Sequence, residues 1–133
     1  MKSAKILLFS GDKSMTHSVA SCLLEAGFTV VPVSHGIGAL DVIHLENPTL
    51  LIFDQDLPGC KSLAIIRSLR SEETNGRLPV ILMGANLHEE DVLIGLEVGA
   101  DLCLLETFHP QVFVARVRSL LRRNEASSSH RAA

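Results

Sequence analysis

Two aspartates stand where a chain can do chemistry with a carboxylate. Asp54 directly follows the apolar run Leu50-Leu51-Ile52-Phe53 and precedes a turn, Leu57-Pro58-Gly59, while Asp12 closes Ser10-Gly11-Asp12 just after Ile6-Leu7-Leu8-Phe9. If both runs are strands of one sheet, the two carboxylates meet at its edge, where such groups serve as a nucleophile or as ligands to a hard divalent cation. The same residues at the same spacing also suit capping a helix or accepting hydrogen bonds from turn amides. Spacing leaves both readings open. Gly84-Ala85-Asn86 and Glu106-Thr107 are the other polar clusters that follow apolar runs.

Other chemistries find little support. His17, His35, His44, His88, His109 and His130 form no metal-ligand spacing with one another or with Cys22, Cys60 and Cys103, so surface or capping roles are expected. Ser10, Ser14 and Ser62 have no paired His and acid in a nucleophile-elbow setting. Gly36-Ile37-Gly38 lacks the third glycine of a phosphate-binding loop and follows the second strand rather than the first. A non-enzyme is expected.

The elements that must position these residues are legible as a repeat. Apolar runs at Ile6 to Phe9, Phe28 to Val33, Leu50 to Phe53, Val80 to Met83 and Leu102 to Leu105 do not alternate, which predicts strands buried on both faces. Between them lie helical stripes: Met15, Val19, Leu23 and Ala26, closed by Gly27; Leu40 and Ile43, closed by Asn47-Pro48; Ile65, Ile66 and Leu69; Val92, Leu93 and Leu96; and Phe113, Val114, Val117, Leu120 and Leu121, opened by Pro110. Asn86 with Glu89 reads as the start of the fourth helix. Five strands alternating with five helices predict right-handed crossovers and a doubly wound five-stranded parallel sheet with helices on both faces.

Composition sets the outer limits. At 133 residues and 47% hydrophobic content the chain can bury one core without disulfides or metal. A net charge of −3 from 12 basic and 15 acidic residues leaves no basic stripe, so the domain is expected to touch neither nucleic acid nor membrane. Three widely spaced cysteines read as reduced thiols of a cytoplasmic protein, and the few apolar residues after Met1-Lys2-Ser3-Ala4-Lys5 are too short for a signal peptide. Periodicity ends near Asn124, predicting a domain over residues 4–123 and a flexible tail or linker over 124–133.

Several segments together carry a family resemblance. They are Ala4-Lys5-Ile6-Leu7-Leu8-Phe9; Glu25-Ala26-Gly27-Phe28-Thr29-Val30; Asn47-Pro48 leading to Asp54 and Asp56-Leu57-Pro58-Gly59; and Gly95-Leu96-Glu97-Val98-Gly99-Ala100-Asp101. With them, Lys5 to Arg123 resembles the receiver domain of bacterial response regulators. The closing Phe108-His109-Pro110 and the arginine-rich last helix look most like receivers that precede winged-helix DNA-binding domains.

The resemblance implies that Asp54 is the phosphoacceptor position, and it also exposes departures. The family's acidic pair, which holds Mg²⁺, aligns with Ser10 and Gly11, with Asp12 one position beyond. Its Ser or Thr after the fourth strand aligns with Gly84, its rotating aromatic with Cys103, and its lysine and following proline with Glu106 and Thr107. Mg²⁺ is therefore expected to bind weakly at Asp12 and Asp54 or not at all, and no cofactor is expected. Adding Glu106 also adds repulsion, on the order of 4 kcal/mol for a like-charge pair about 4 Å apart at an effective dielectric of about 20.

These departures predict a pseudo-receiver that works without conventional phosphorylation, by dimerisation or partner binding that controls an output domain. The resemblance places a dimer face on the fourth helix, fifth strand and fifth helix, with Asp101, Arg116 and Arg122 as charged members and Val112 where a glutamate is usual. A sensor kinase or an output domain is the expected further partner. Two alternatives stay open: slow conventional phosphorylation of Asp54, and direct sensing of a small ligand or protein segment in a pocket near Gly84, Cys103 and Glu106.

Overall fold

Apolar runs that do not alternate need cover on both faces, and three of the five receive it completely. The computed structural model describes residues 4–132, with side chains through Asn124. Its elements are β1 (Lys5–Phe9), α1 (Lys13–Glu25), β2 (Thr29–Val33), α2 (Ala39–Glu46), β3 (Leu50–Asp54), α3 (Ser62–Arg70), β4 (Val80–Gly84), α4 (Glu89–Val98), β5 (Leu102–Leu105) and α5 (Pro110–Ala132). The strands pair in parallel in the order β2-β1-β3-β4-β5, a doubly wound α/β sheet. β1 and β3 therefore lie side by side at the centre, Phe9 in register with Phe53 and their rings stacked at 4.7 Å.

Side chains alternate between two cores. Leu7, Phe9, Leu51, Phe53 and Leu82 face Ile43, Ile65, Ile66 and Leu69 of α2 and α3. Ile6, Leu8, Leu50, Ile52, Ile81 and Met83 face Met15, Val19 and Leu23 of α1 and Phe113, Val117 and Leu120 of α5. Uniform burial holds for β3 and β4 and nearly for β1, but not for β2 or β5, which form the two edges and are largely half-buried. Pro32 sits in β2, opposite Leu8, where an edge strand tolerates its missing N–H.

Helix termini follow local chemistry with two corrections. Gly27 takes φ 94° after α1 and Asn47 takes φ 49° after α2, the left-handed stops expected there. α4 starts later than the sequence suggests: His88, not Asn86, is the cap, and its N–H donates to Asp91 Oδ2 at 2.9 Å. Asn86 instead lies in the turn after β4, so the box closes on Asp91 rather than Glu89. The second correction is at the far end, where α5 continues past Asn124 to Ala132. No Gly or Pro follows Asn124, so backbone propensity continues a helix that has already lost its apolar stripe.

Candidate functional site

The parallel sheet brings the carboxyl ends of β1, β3, β4 and β5 to one rim, and every residue singled out at a strand end lies there. Asp54 ends β3 and is buried, with 6% of its surface exposed. Its Oδ2 accepts the Ser10 hydroxyl at 2.9 Å, and its Oδ1 accepts the Asp56 N–H at 3.0 Å. Its backbone carbonyl accepts the Ser62 hydroxyl of α3 at 2.6 Å. Neutral donors from three segments thus hold the group, and Ser10 in turn accepts the Asp12 N–H at 3.1 Å.

Asp12 takes the capping alternative. Its Oδ1 accepts the N–H groups of Ser14 and Met15 at 2.9 and 3.1 Å, fixing the start of α1. One of its two oxygens is therefore committed to the helix. Beside it the chain is tight: a Cβ on Gly11 would lie 2.7 Å from Pro58 Cγ and 2.8 Å from Pro58 Cδ. Any side chain at Gly11 requires the loop after β3 to move.

Gly84 is closed in a different way. A Cβ there would lie 2.8 Å from Gln55 Oε1 and 3.1 Å from Gln55 Cβ, because Gln55 folds across the glycine. The space a hydroxyl-bearing side chain would use is thus filled by an amide from the neighbouring strand end. The same amide helps hold the Asp91 carboxyl below its ordinary 3.8, after the larger effect of the His88 N–H. Sequence reasoning places Gln55 in the polar cluster Asp54-Gln55-Asp56 but gives it no role; a glycine ending an otherwise apolar strand is the one signal that another group approaches closely.

The remaining positions that the sequence reading grouped, Gly84, Cys103 and Glu106, have different surroundings. Cys103 packs beneath α4, 3.1 Å from where a Cβ on Gly95 would stand, and burial pushes its thiol pKa up. Glu106 instead lines a cleft of about 330 Å³ with Asp12, Asp54 and Asp56, walled by Gly11 and Pro58. Among the described residues no lysine, arginine or histidine lines that cleft. Thr107 is exposed beyond it.

The family to which such a rim belongs would place a divalent cation here, and these residues do not suit one. Among the described residues no group of three or more His, Cys, Asp or Glu side chains converges closely enough to hold a metal ion. Asp12 caps α1, Asp54 is bound by neutral donors, and Ser10 and Gly11 bring no carboxylate.

On the expected dimer face, Asp101 is already engaged within the chain. Its Oδ2 accepts the Val80 N–H at 2.8 Å and lies 3.1 Å from Arg70 Nη2. Arg70, also missed by sequence reasoning, further donates to the carbonyls of Gly76, Leu78 and Gly99. Arg116 and Arg122 are exposed, while Arg118 lies 6.0 Å over the Phe28 ring. On α4, β5 and α5, Leu93, Leu96, Leu105 and Val112 are 46–58% exposed. Leu93 and Leu96 had been expected to be buried. α4 instead meets the sheet through Gly95, with Leu82 Cδ2 only 2.9 Å from its Cβ position, so the leucines flanking Gly95 turn outward.

Comparison with known proteins agrees with this architecture. The family profile described as response regulator receiver domain matches residues 6–118. The DNA-binding response regulator MtrA of Mycolicibacterium smegmatis is 34% identical over 121 residues, 91% of this chain and 52% of that protein. The transcriptional regulatory protein CseB of Streptomyces coelicolor is 34% identical over 118 residues, 88% of this chain and 49% of the relative. The chain thus spans about half the length of the curated relatives it matches. Among solved structures, a response regulator from Chloroflexus aurantiacus superposes with TM-score 0.86 at 28% identity, covering 91% of this chain and 99% of the other. The BeF3-activated receiver domain of Klebsiella pneumoniae RstA gives 0.81 at 30% identity, covering 89% and 98%.

Proposed function

This chain belongs to the response regulator receiver domain family of two-component signalling, and we propose that within it the domain works without conventional Mg²⁺-dependent phosphorylation, controlling a partner or an output domain through its surfaces. One observation carries the reading. The buried Asp54 carboxylate is bound on both oxygens by neutral donors of its own chain, in a cleft that three further acidic residues line and, among the described residues, no cationic side chain does. A phosphoryl group would add about two negative charges to that cleft. Family members offset those charges with a metal and a lysine; here Ser10, Gly11 and Glu106 stand in those places.

The surface that transmits the state is the α4-β5-α5 face. Leu93, Leu96, Leu105 and Val112 supply an apolar patch that suits a symmetric contact between two copies, with fewer ion pairs because Asp101 is engaged by Arg70.

The test is to incubate the chain with Mg²⁺ and a small phosphodonor and to read the intact mass. The expected result is an unmodified protein. A stable adduct at one equivalent, absent in Asp54→Asn, returns the domain to slow conventional phosphorylation.

A further inference from the structure

A second cavity, of about 340 Å³, opens between the start of α3 and α4 and shares only Asp56 with the acidic cleft. It falls in the size range of small-molecule sites. Leu57, Leu63, Leu82 and Ile94 form its apolar walls. The charged groups around it are Lys61, Asp56 and Asp91. Lys61 is exposed at the start of α3 and makes no ion pair among the described residues. Ser62, also in the wall, has its hydroxyl spent on the Asp54 carbonyl.

Charge and shape together narrow the occupant. A neutral hydrocarbon would leave Lys61 unmatched, a simple organic anion would face two carboxylates, and a simple amine would face the lysine. A compact molecule bearing both signs and an apolar body meets Lys61, the carboxylates and the apolar wall, with Asp56 the carboxylate free of the α4 cap and Asp91 sharing its charge with the His88 N–H and the Gln55 amide.

We propose that this cavity binds a hydrophobic α-amino acid, its carboxylate toward Lys61, its ammonium toward Asp56 and Asp91, and its side chain against Leu63, Leu82 and Ile94. The occupant bridges α3 to α4, the helix that carries the exposed Leu93 and Leu96. Binding therefore favours one placement of α4 over others by its differential contacts. The proposal holds whether or not Asp54 ever accepts a phosphoryl group.

The experiment titrates the whole chain with L-phenylalanine as probe and follows the methyl resonances of Leu57, Leu63, Leu82 and Ile94. In parallel it uses 3-phenylpropionate and 2-phenylethylamine, which keep the ring and remove one charge each. Saturable shifts confined to these methyls are expected with L-phenylalanine. Each analogue, and the exposed-site variant Lys61→Glu with L-phenylalanine, should bind about two- to fivefold more weakly, the range an exposed ion pair supports. Absence of saturable shifts, shifts centred elsewhere, or an analogue that binds as tightly as the amino acid overturns the proposal.

Discussion

Removing the hydroxyl of Ser10 isolates one link of the site. Ser10→Ala leaves Asp54 Oδ2 buried without its donor, and a loss of about 1–3 kcal/mol in denaturant unfolding is expected. Asp54→Ala should absorb most of that penalty, so the double variant should be more stable than the two single losses add up to. Gly84→Thr is the complementary probe, because its side chain meets Gln55. A loss of about 1–3 kcal/mol from overpacking is expected, and Gln55→Ala in the same chain should recover much of it. At this scale the sequence located Asp54, Ser10, Glu106 and both readings of Asp12, since strand ends and turn residues are local signals. Gln55 and Arg70 escaped it. Their long side chains act on residues about 29 and 31 positions away, and no periodicity marks such a reach.

Elements were legible where core and cap agree, as in α1, α2 and the stripe of α5, and least legible in α4. There the apolar residues outnumber the positions the sheet can cover, so composition suggested a buried face that Gly95 alone occupies. The start of this helix gives a pH signature. Asp91 is held below its ordinary pKa first by the His88 N–H, so its contribution to stability is fully present above 3.8 and is lost as pH falls through the depressed value. Asp91→Asn should therefore flatten the acid limb of a stability-against-pH profile below about pH 4, with little change in its shape near neutrality. Across the sheet, Asp101→Ala strips the buried Val80 N–H and Arg70 of a shared acceptor. An unfolding loss of about 1–3 kcal/mol is expected, partly restored in Asp101→Asn.

For the molecule as a whole, two cores on either side of one parallel sheet followed from the order of apolar runs alone, because a sheet of continuous hydrophobic strands has few ways to hide both faces. The contact between copies proposed above does not follow from that order. It depends on which leucines remain outside after packing, and these became evident only with Gly95 seated on the sheet. Leu93→Glu with Leu96→Glu should move a concentrated sample toward monomer in sedimentation velocity while leaving its melting temperature nearly unchanged, since both side chains are exposed. Among the described residues no helix is long and apolar enough to cross a membrane.

Pro32 lies in the middle of β2, at one edge of the sheet. The outer margin of β2 offers unpaired backbone groups to any extended peptide, and an imino acid in its middle interrupts that template. Stacking of copies into cross-β fibrils along this margin is thereby discouraged. Pro32→Val, which restores the missing N–H in a β-favouring residue, should shorten the lag before thioflavin-positive aggregate forms in agitated solution.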